Sequence, residues 1–502
     1  MTNNDQSYAV KTSLGNESKQ IAKHSLVYGL GNVFNRVVGF VMIPVYTRYL
    51  IPSEYGILEL LSLTTEIIGM ILSMRISRAM NRFYFEYDSI QDKNEVIGTA
   101  MLSFGAIGFI GLSFASLASG FLAETILDSS QFSHYFIISF STLWFNTVVL
   151  MAFNYLQILK KSALFIILSS VKLIIALSFN IYFIVFLKMG VLGILYGNLI
   201  ASGSLTIILV IPVLIKVGIR FSGNKLVEML KFGLPLIPGA IANFIVLVSD
   251  RYFVKIFGSL ADTGIYSLSY KFGILPHAFI TVPFYGIWSI RRFELMKSEN
   301  AEELMGKIIT YFFFIITFVG LGISVLAKDA IHIMADPKFW DACRYIPILI
   351  LSYIVFSLYN HFSISILIQK KTKYISYIDV GNGILNVALN ILLIRSYGIY
   401  GAAYATLISY TIRISSLYTV ANRLQKIYFE FGRVGKIFLS AGLIFTICSL
   451  ITISSSLISL LVKFIIALLF PLFLYVLNFY TTNEITKFKS VIASRSLKAA
   501  LE

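Results

Sequence analysis

The chain has 502 residues, of which 57% are hydrophobic and 13% charged, with a formal net charge of +16. A soluble domain carries roughly 25% charged residues, so this composition excludes an ordinary water-soluble globular protein. The positive balance alone would suit a nucleic-acid binder, but the placement of the charges, described below, excludes that partner.

Residues 1–24 are mostly polar and lack the small-residue cleavage site of a signal peptide. They are read as a cytoplasmic tail. Fourteen apolar segments follow, near 25–49, 55–74, 95–122, 132–157, 163–187, 189–216, 231–257, 263–288, 305–327, 342–369, 373–395, 398–422, 434–455 and 457–480. About 20 apolar residues span a bilayer as a helix, whereas β-barrel strands are about 10 residues of alternating polarity. The expectation is an all-α polytopic membrane protein with fourteen transmembrane helices. Residues 481–502 read as a second cytoplasmic tail, with Ile485, Phe488 and Ile492 on one face of a basic amphipathic helix lying on the inner leaflet.

The loops near 75–93, 160–161, 216–231, 291–307, 370–373 and 423–436, with the two tails, hold most of the 41 Lys and Arg residues. Basic residues gather on the cytoplasmic side of membrane proteins. Both termini are therefore expected in the cytoplasm, in the inner (cytoplasmic) membrane of a cell, with anionic lipid headgroups as partners of the basic excess. Nucleic acid is not expected, and the chain is read as a monomer.

The sequence repeats itself. GVLGILYGNLI at 190–200 returns as GIYGAAYATLI at 398–408, and SEYGILEL at 53–60 returns as ADTGIYSL at 261–268, both at an offset of 208. The unit is six helices. Residues 25–216 and 226–424 are expected to form two parallel six-helix bundles, with 433–480 as two appended helices. Repeats of this kind are a transporter architecture with the substrate site between the halves.

Polar residues inside the apolar segments fall at helical spacing. Asn32 and Arg36 share a stripe in 25–49, Glu59 and Glu66 in 55–74, and Ser169, Lys172 and Asn180 in 163–187. Asp250 lies in 231–257, Asp379, Asn382, Asn386 and Asn390 in 373–395, and Arg413 in 398–422. A charge at the centre of a bilayer helix costs roughly 2.5–3.5 kcal/mol, so it is kept where it faces a polar interior. Arg36, Lys172 and Arg413 are the candidate cavity cations that bind substrate. Lys172 stands out, because the neighbouring segments bring no evident carboxylate near it. Glu66, Asp379, Glu59 and Asp250 are candidate ion-pair or coupling-ion sites, with a proton or sodium as the ion, and Asn32, Asn382 and Asn386 line the cavity. Small polar residues have the plainer role of joining helices.

Enzymatic motifs are absent. The stretch from Gly218 to Lys225 imitates a phosphate-binding loop, but Asn224 intrudes and no Ser or Thr follows Lys225. The five His show no metal spacing, and Cys343 and Cys448 suggest neither a disulfide nor a metal site. No cofactor, metal or catalytic residue is expected.

Two stretches carry a family resemblance. SLVYGLGNVFNRVVGFVMIPVYTRYLIPSEYGILELLSL and LKFGLPLIPGAIANFIVLVSDRYFVKIFGSLADTGIYSLSYKFG include Gly29, Pro44, Tyr49, Gly56, Gly233, Pro235, Asp250, Arg251, Gly264 and Tyr266. They resemble Wzx-type polysaccharide flippases of the multidrug/oligosaccharidyl-lipid/polysaccharide (MOP) exporter superfamily. The resemblance implies a MATE-like V of two bundles. It also implies translocation of undecaprenyl-diphosphate-linked oligosaccharide units to the outer leaflet for O-antigen, capsule or exopolysaccharide synthesis. A polysaccharide polymerase and chain-length proteins are the implied partners. A lipid II flippase or a multidrug/cation antiporter of the same superfamily is the alternative, although an antiporter for organic cations should have an acidic cavity.

Overall fold

The structure is a computed structural model that describes residues 39–295, 301–424, 428–486 and 490. Arg36 and Asn32 lie outside the described residues, as do the first tail and most of the second. All regular structure among the described residues is helical, as the apolar segments predict. The main helices are α1 (Pro52–Leu72), α2 (Ile90–Leu117), α3 (Ser133–Ile158), α4 (Ser162–Ile181), α5 (Gly190–Leu205), α6 (Ile237–Phe257), α7 (Leu260–Gly273), α8 (Val282–Leu295), α9 (Ala301–Met334), α10 (Ile346–Phe356), α11 (Tyr359–Ile368), α12 (Lys373–Leu424), α13 (Phe431–Leu450) and α14 (Ser456–Leu468). Eleven continuous helical stretches among the described residues are long and apolar enough to cross a membrane.

Local chemistry sets where these helices start and stop. Pro52 opens α1, where its missing N–H costs nothing. The Glu54 carboxylate accepts the Ile51 N–H at 3.0 Å. Ser89 caps α2 by accepting the Asp92 N–H at 3.0 Å. At the end of α3, Lys160 adopts a left-handed conformation. The Lys161 N–H then reaches the Leu156 carbonyl, and the Lys160 N–H the Gln157 carbonyl, each at 2.9 Å. The same closure ends α11, with Lys370 left-handed and bonds from Lys371 to Ile366 and from Lys370 to Leu367. Both are Schellman turns, which satisfy the last carbonyls of a helix.

Some apolar segments are not single helices. Segment 263–288 becomes α7 and α8, separated after Pro276 by a π-helical turn at His277–Thr281; proline removes one rung of the helical ladder. Segments 373–395 and 398–422 run together as α12, with a break at Gly398, where φ is +55° and ψ is −133°. Gly190, its sequence match, also has φ of +55°. Glycine alone adopts such angles without a Cβ penalty. The matched stretches therefore share a left-handed φ at their first residue.

The chain folds into two compact units. Unit 1 runs to Leu268 and includes Asp379–Ala402; unit 2 comprises Ser269–Ile378 and the chain from Ala403. Unit 1 holds apolar clusters along its length. Val96, Ala100 and Phe104 of α2 pack with Val149 and Ala152 of α3 in one, and Leu60 and Leu61 of α1 meet Phe136 and Phe140 of α3 in another. Within unit 1, α1 also meets α7 backbone to backbone. A Cβ placed on Gly56 would overlap the Leu260 carbonyl oxygen, and one on Gly264 would overlap that of Pro52.

Candidate functional site

Three side chains meet near the middle of α3, α4 and the α5 stretch in unit 1. The Lys172 ammonium donates to Asn146 Oδ1. Ser202 Oγ is 2.9 Å from the same oxygen. An ammonium has only donors, so the amide oxygen must be the atom that faces it. Lys172 is half-buried, and no carboxylate lies within ion-pairing distance of it among the described residues. The helix carrying it is peripheral in unit 1, with only Ser162 and Asn180 of α4 buried. The result is a lysine deep in a membrane-spanning stretch whose ammonium meets only neutral oxygen.

The remaining candidates occupy other settings. In unit 2, Arg413 is 6% exposed, and its guanidinium lies 4.3 Å from the centre of the Tyr359 ring and 5.7 Å from that of Phe356. Asp250 is buried in unit 1. Its carboxylate takes a 2.7 Å bond from Arg251 Nη1 and a 2.6 Å bond from the Tyr266 hydroxyl. Arg251 is thus buried inside α6, where Asp250 and the Leu247 carbonyl hold it. Glu59 is half-buried and Glu66 exposed on α1; between them Thr64 and Tyr252 share a 2.9 Å hydrogen bond. Asp379 is half-buried in the first half of α12.

Asn382 and Asn386 are both buried in the part of α12 that belongs to unit 1. Asn390 Nδ2 donates to Asn386 Oδ1 at 3.1 Å, while neither side-chain polar atom of Asn382 has a hydrogen-bond partner. A buried amide of that kind is met by water or by a ligand group. The stretch that imitates a phosphate loop has a structural task. Lys225 is held by Asp92 at 2.9 Å and Glu95 at 2.5 Å, which leaves its ammonium committed to carboxylates. Both cysteines are free thiols, and no group of three metal-ligating residues occurs among the described residues.

The sequence reading missed Asn146 and Ser202. Each is a lone polar residue in an apolar run, and only the packing of α3 and α5 against α4 reveals their shared partner. The structure also buries Lys463 within α14, 2.8 Å from Asp329 of α9.

Residues 21–287, just over half of the chain, match the profile of a family described as polysaccharide biosynthesis protein. The chain belongs to that family. No curated protein sequence matches it. Its fold resembles those of solved transporters and a flippase. A lipid II flippase, MurJ, in an inward closed conformation, superposes with a TM-score of 0.71 at 16% identity, over 89% of this chain and 98% of MurJ. An inward-facing multidrug resistance MATE transporter of the MOP superfamily gives 0.63 at 12% identity, over 78% of this chain and 94% of its own. A MOP superfamily transporter from Pyrococcus furiosus, described as having a binding pocket of reverse polarity, gives 0.55 at 13% identity, over 81% of this chain and 95% of its own. The fold is therefore the one shared by MurJ and the MATE transporters, and the chain is a multi-pass membrane protein.

Proposed function

We propose that this polysaccharide biosynthesis protein flips undecaprenyl-diphosphate-linked oligosaccharide from the inner to the outer leaflet of the cytoplasmic membrane. Both termini face the cytoplasm, and the lipid tail stays in the bilayer while the head group crosses. The observation that carries this reading is the Lys172 ammonium, half-buried between Asn146 and the rest of α4 without a carboxylate. A phosphate oxygen forms strong charge-assisted hydrogen bonds with such a donor. An organic cation would be repelled by it, which disfavours the multidrug antiporter. Arg413, set against Tyr359, and Arg36 are the further cations of this reading. The amides of Asn32, Asn382 and Asn386 suit glycan hydroxyls. Two parallel six-helix repeats rock about the site, and Asp379, Glu59 or Glu66 admits the coupling proton or sodium ion, while Asp250 serves its ion pair with Arg251. A polysaccharide polymerase and chain-length proteins take over the product.

The test is complementation of a strain lacking its polysaccharide flippase, with membrane levels of each variant measured alongside. Lys172→Gln should abolish export while the protein remains folded and inserted, and Lys172→Arg should retain part of it. Full export by Lys172→Gln would remove the cation from the mechanism. Rescue of a strain depleted of its lipid II flippase, in place of the polysaccharide strain, would assign lipid II as the substrate.

A further inference from the structure

We propose that Asn146 is the positioning residue for the Lys172 ammonium, and that its neutrality keeps this cation available to a diphosphate. The proposal rests on the reading of Lys172 given above and names a residue that reading does not use. Asn146 Oδ1 accepts from both Lys172 Nζ and Ser202 Oγ. A carbonyl oxygen has two lone pairs, so this oxygen is fully engaged and holds the lysine at a fixed place between α3 and α4. Its amide nitrogen then presents donors on the same side chain and makes no hydrogen bond to another described residue. Two N–H groups of the ammonium also remain. Asn146 and Lys172 together offer donors alone, which suits a group that is all acceptors.

The alternative residue of the same shape shows why the amide matters. Aspartate would place a carboxylate against the ammonium and close an ion pair. Elsewhere in this chain the buried lysine at 463 is neutralised in that way, by Asp329 at 2.8 Å. Around Lys172 no described residue supplies the carboxylate, and the chain keeps a charge that an incoming anion can neutralise.

The experiment measures binding of undecaprenyl diphosphate to the purified full-length protein in detergent, with melting temperature recorded for each variant. The wild type should bind. Asn146→Asp should weaken binding about tenfold or more, since a charge-assisted contact is lost, and should melt no lower than the wild type, since it gains an ion pair. Binding by Asn146→Asp should recover as the pH is lowered and the new carboxyl is protonated. Asn146→Ala keeps the charge of Lys172 but removes the oxygen that places it, and should bind about threefold more weakly than the wild type. If Lys172→Gln binds as well as the wild type, the reading of Lys172 itself fails. If Lys172→Gln binds weakly but Asn146→Asp binds like the wild type, Asn146 has no such role. An equal loss in Asn146→Ala and Asn146→Asp also overturns the proposal, because the amide would then be needed for packing and its neutrality would be beside the point.

Discussion

Lys463 and Lys172 both sit inside membrane-crossing helices of this protein, and their surroundings differ. Lys463 of α14 is 5% exposed and is joined at 2.8 Å to Asp329 of α9. Lys172 of α4 is half-buried and rests on an amide oxygen. Removing a charge from water is expensive, and a carboxylate partner offsets that expense within the low-dielectric interior. The first lysine is neutralised and fastens the C-terminal helices of unit 2 to a long neighbour. The second is left beside dipoles alone, an arrangement that makes sense where an anion arrives and leaves. Arg433 repeats the first pattern in unit 2, with Glu430 and Glu484 each at 3.1 Å.

The contrast breaks if stability and export respond in the same way at both lysines. The largest effect is expected from Asp329→Ala, which strands a buried ammonium. It should remove about 3–5 kcal/mol of stability, seen as a lower melting temperature in detergent, and export should fall only in step with the amount of folded protein. Lys463→Met combined with Asp329→Leu should restore stability to that of the wild type or raise it by up to about 1–4 kcal/mol, because apolar packing often replaces a buried pair without loss, and export should return. A folded double variant that exports nothing would place this pair in the transport cycle and end the distinction. The smallest effect sharpens the scale. Lys307 and Glu303 form an ion pair one turn apart with both side chains largely in the open, at 43% and 58% exposure, and Lys307→Ala should leave the melting temperature close to that of the wild type, because exposed ion pairs contribute little, with export unaltered.

Much of the fold could be read from the chain because membrane-crossing length is written in apolar runs, and ten or more such runs with basic punctuation leave few other architectures. Helix ends were harder. Segment 305–327 grows into α9, Ala301–Met334, because amphipathic turns bearing Glu302, Lys328 and Asp329 extend it past the apolar run. That extension is what carries Asp329 to Lys463, 134 residues away, a pairing no local pattern announces. Lys172 was legible as a charge amid apolar neighbours. Asn146 and Ser202 were not, since a lone Asn or Ser in such a helix is more often a joint between helices and only the packing shows which cation it serves. Arg36 and Asn32 lie outside the described residues, and that part of the site rests on the sequence.

Gly56 and Gly264 are matching positions of the repeat, 208 residues apart, and each lies against the backbone of the other's helix, one facing the Leu260 carbonyl and the other that of Pro52. Those two carbonyl residues are themselves 208 apart. A residue that meets its own counterpart on reciprocal terms is the signature of an isologous interface, the kind found on the two-fold axis of a homodimer. Here it is held within a single polypeptide. In a homodimer one mutation would alter both sides of such a seam at once. Fusion into one chain lets each side change alone, and the seam already shows it: proline stands at 52 and leucine at 260, while the two glycines, where any side chain would collide with backbone, remain the same.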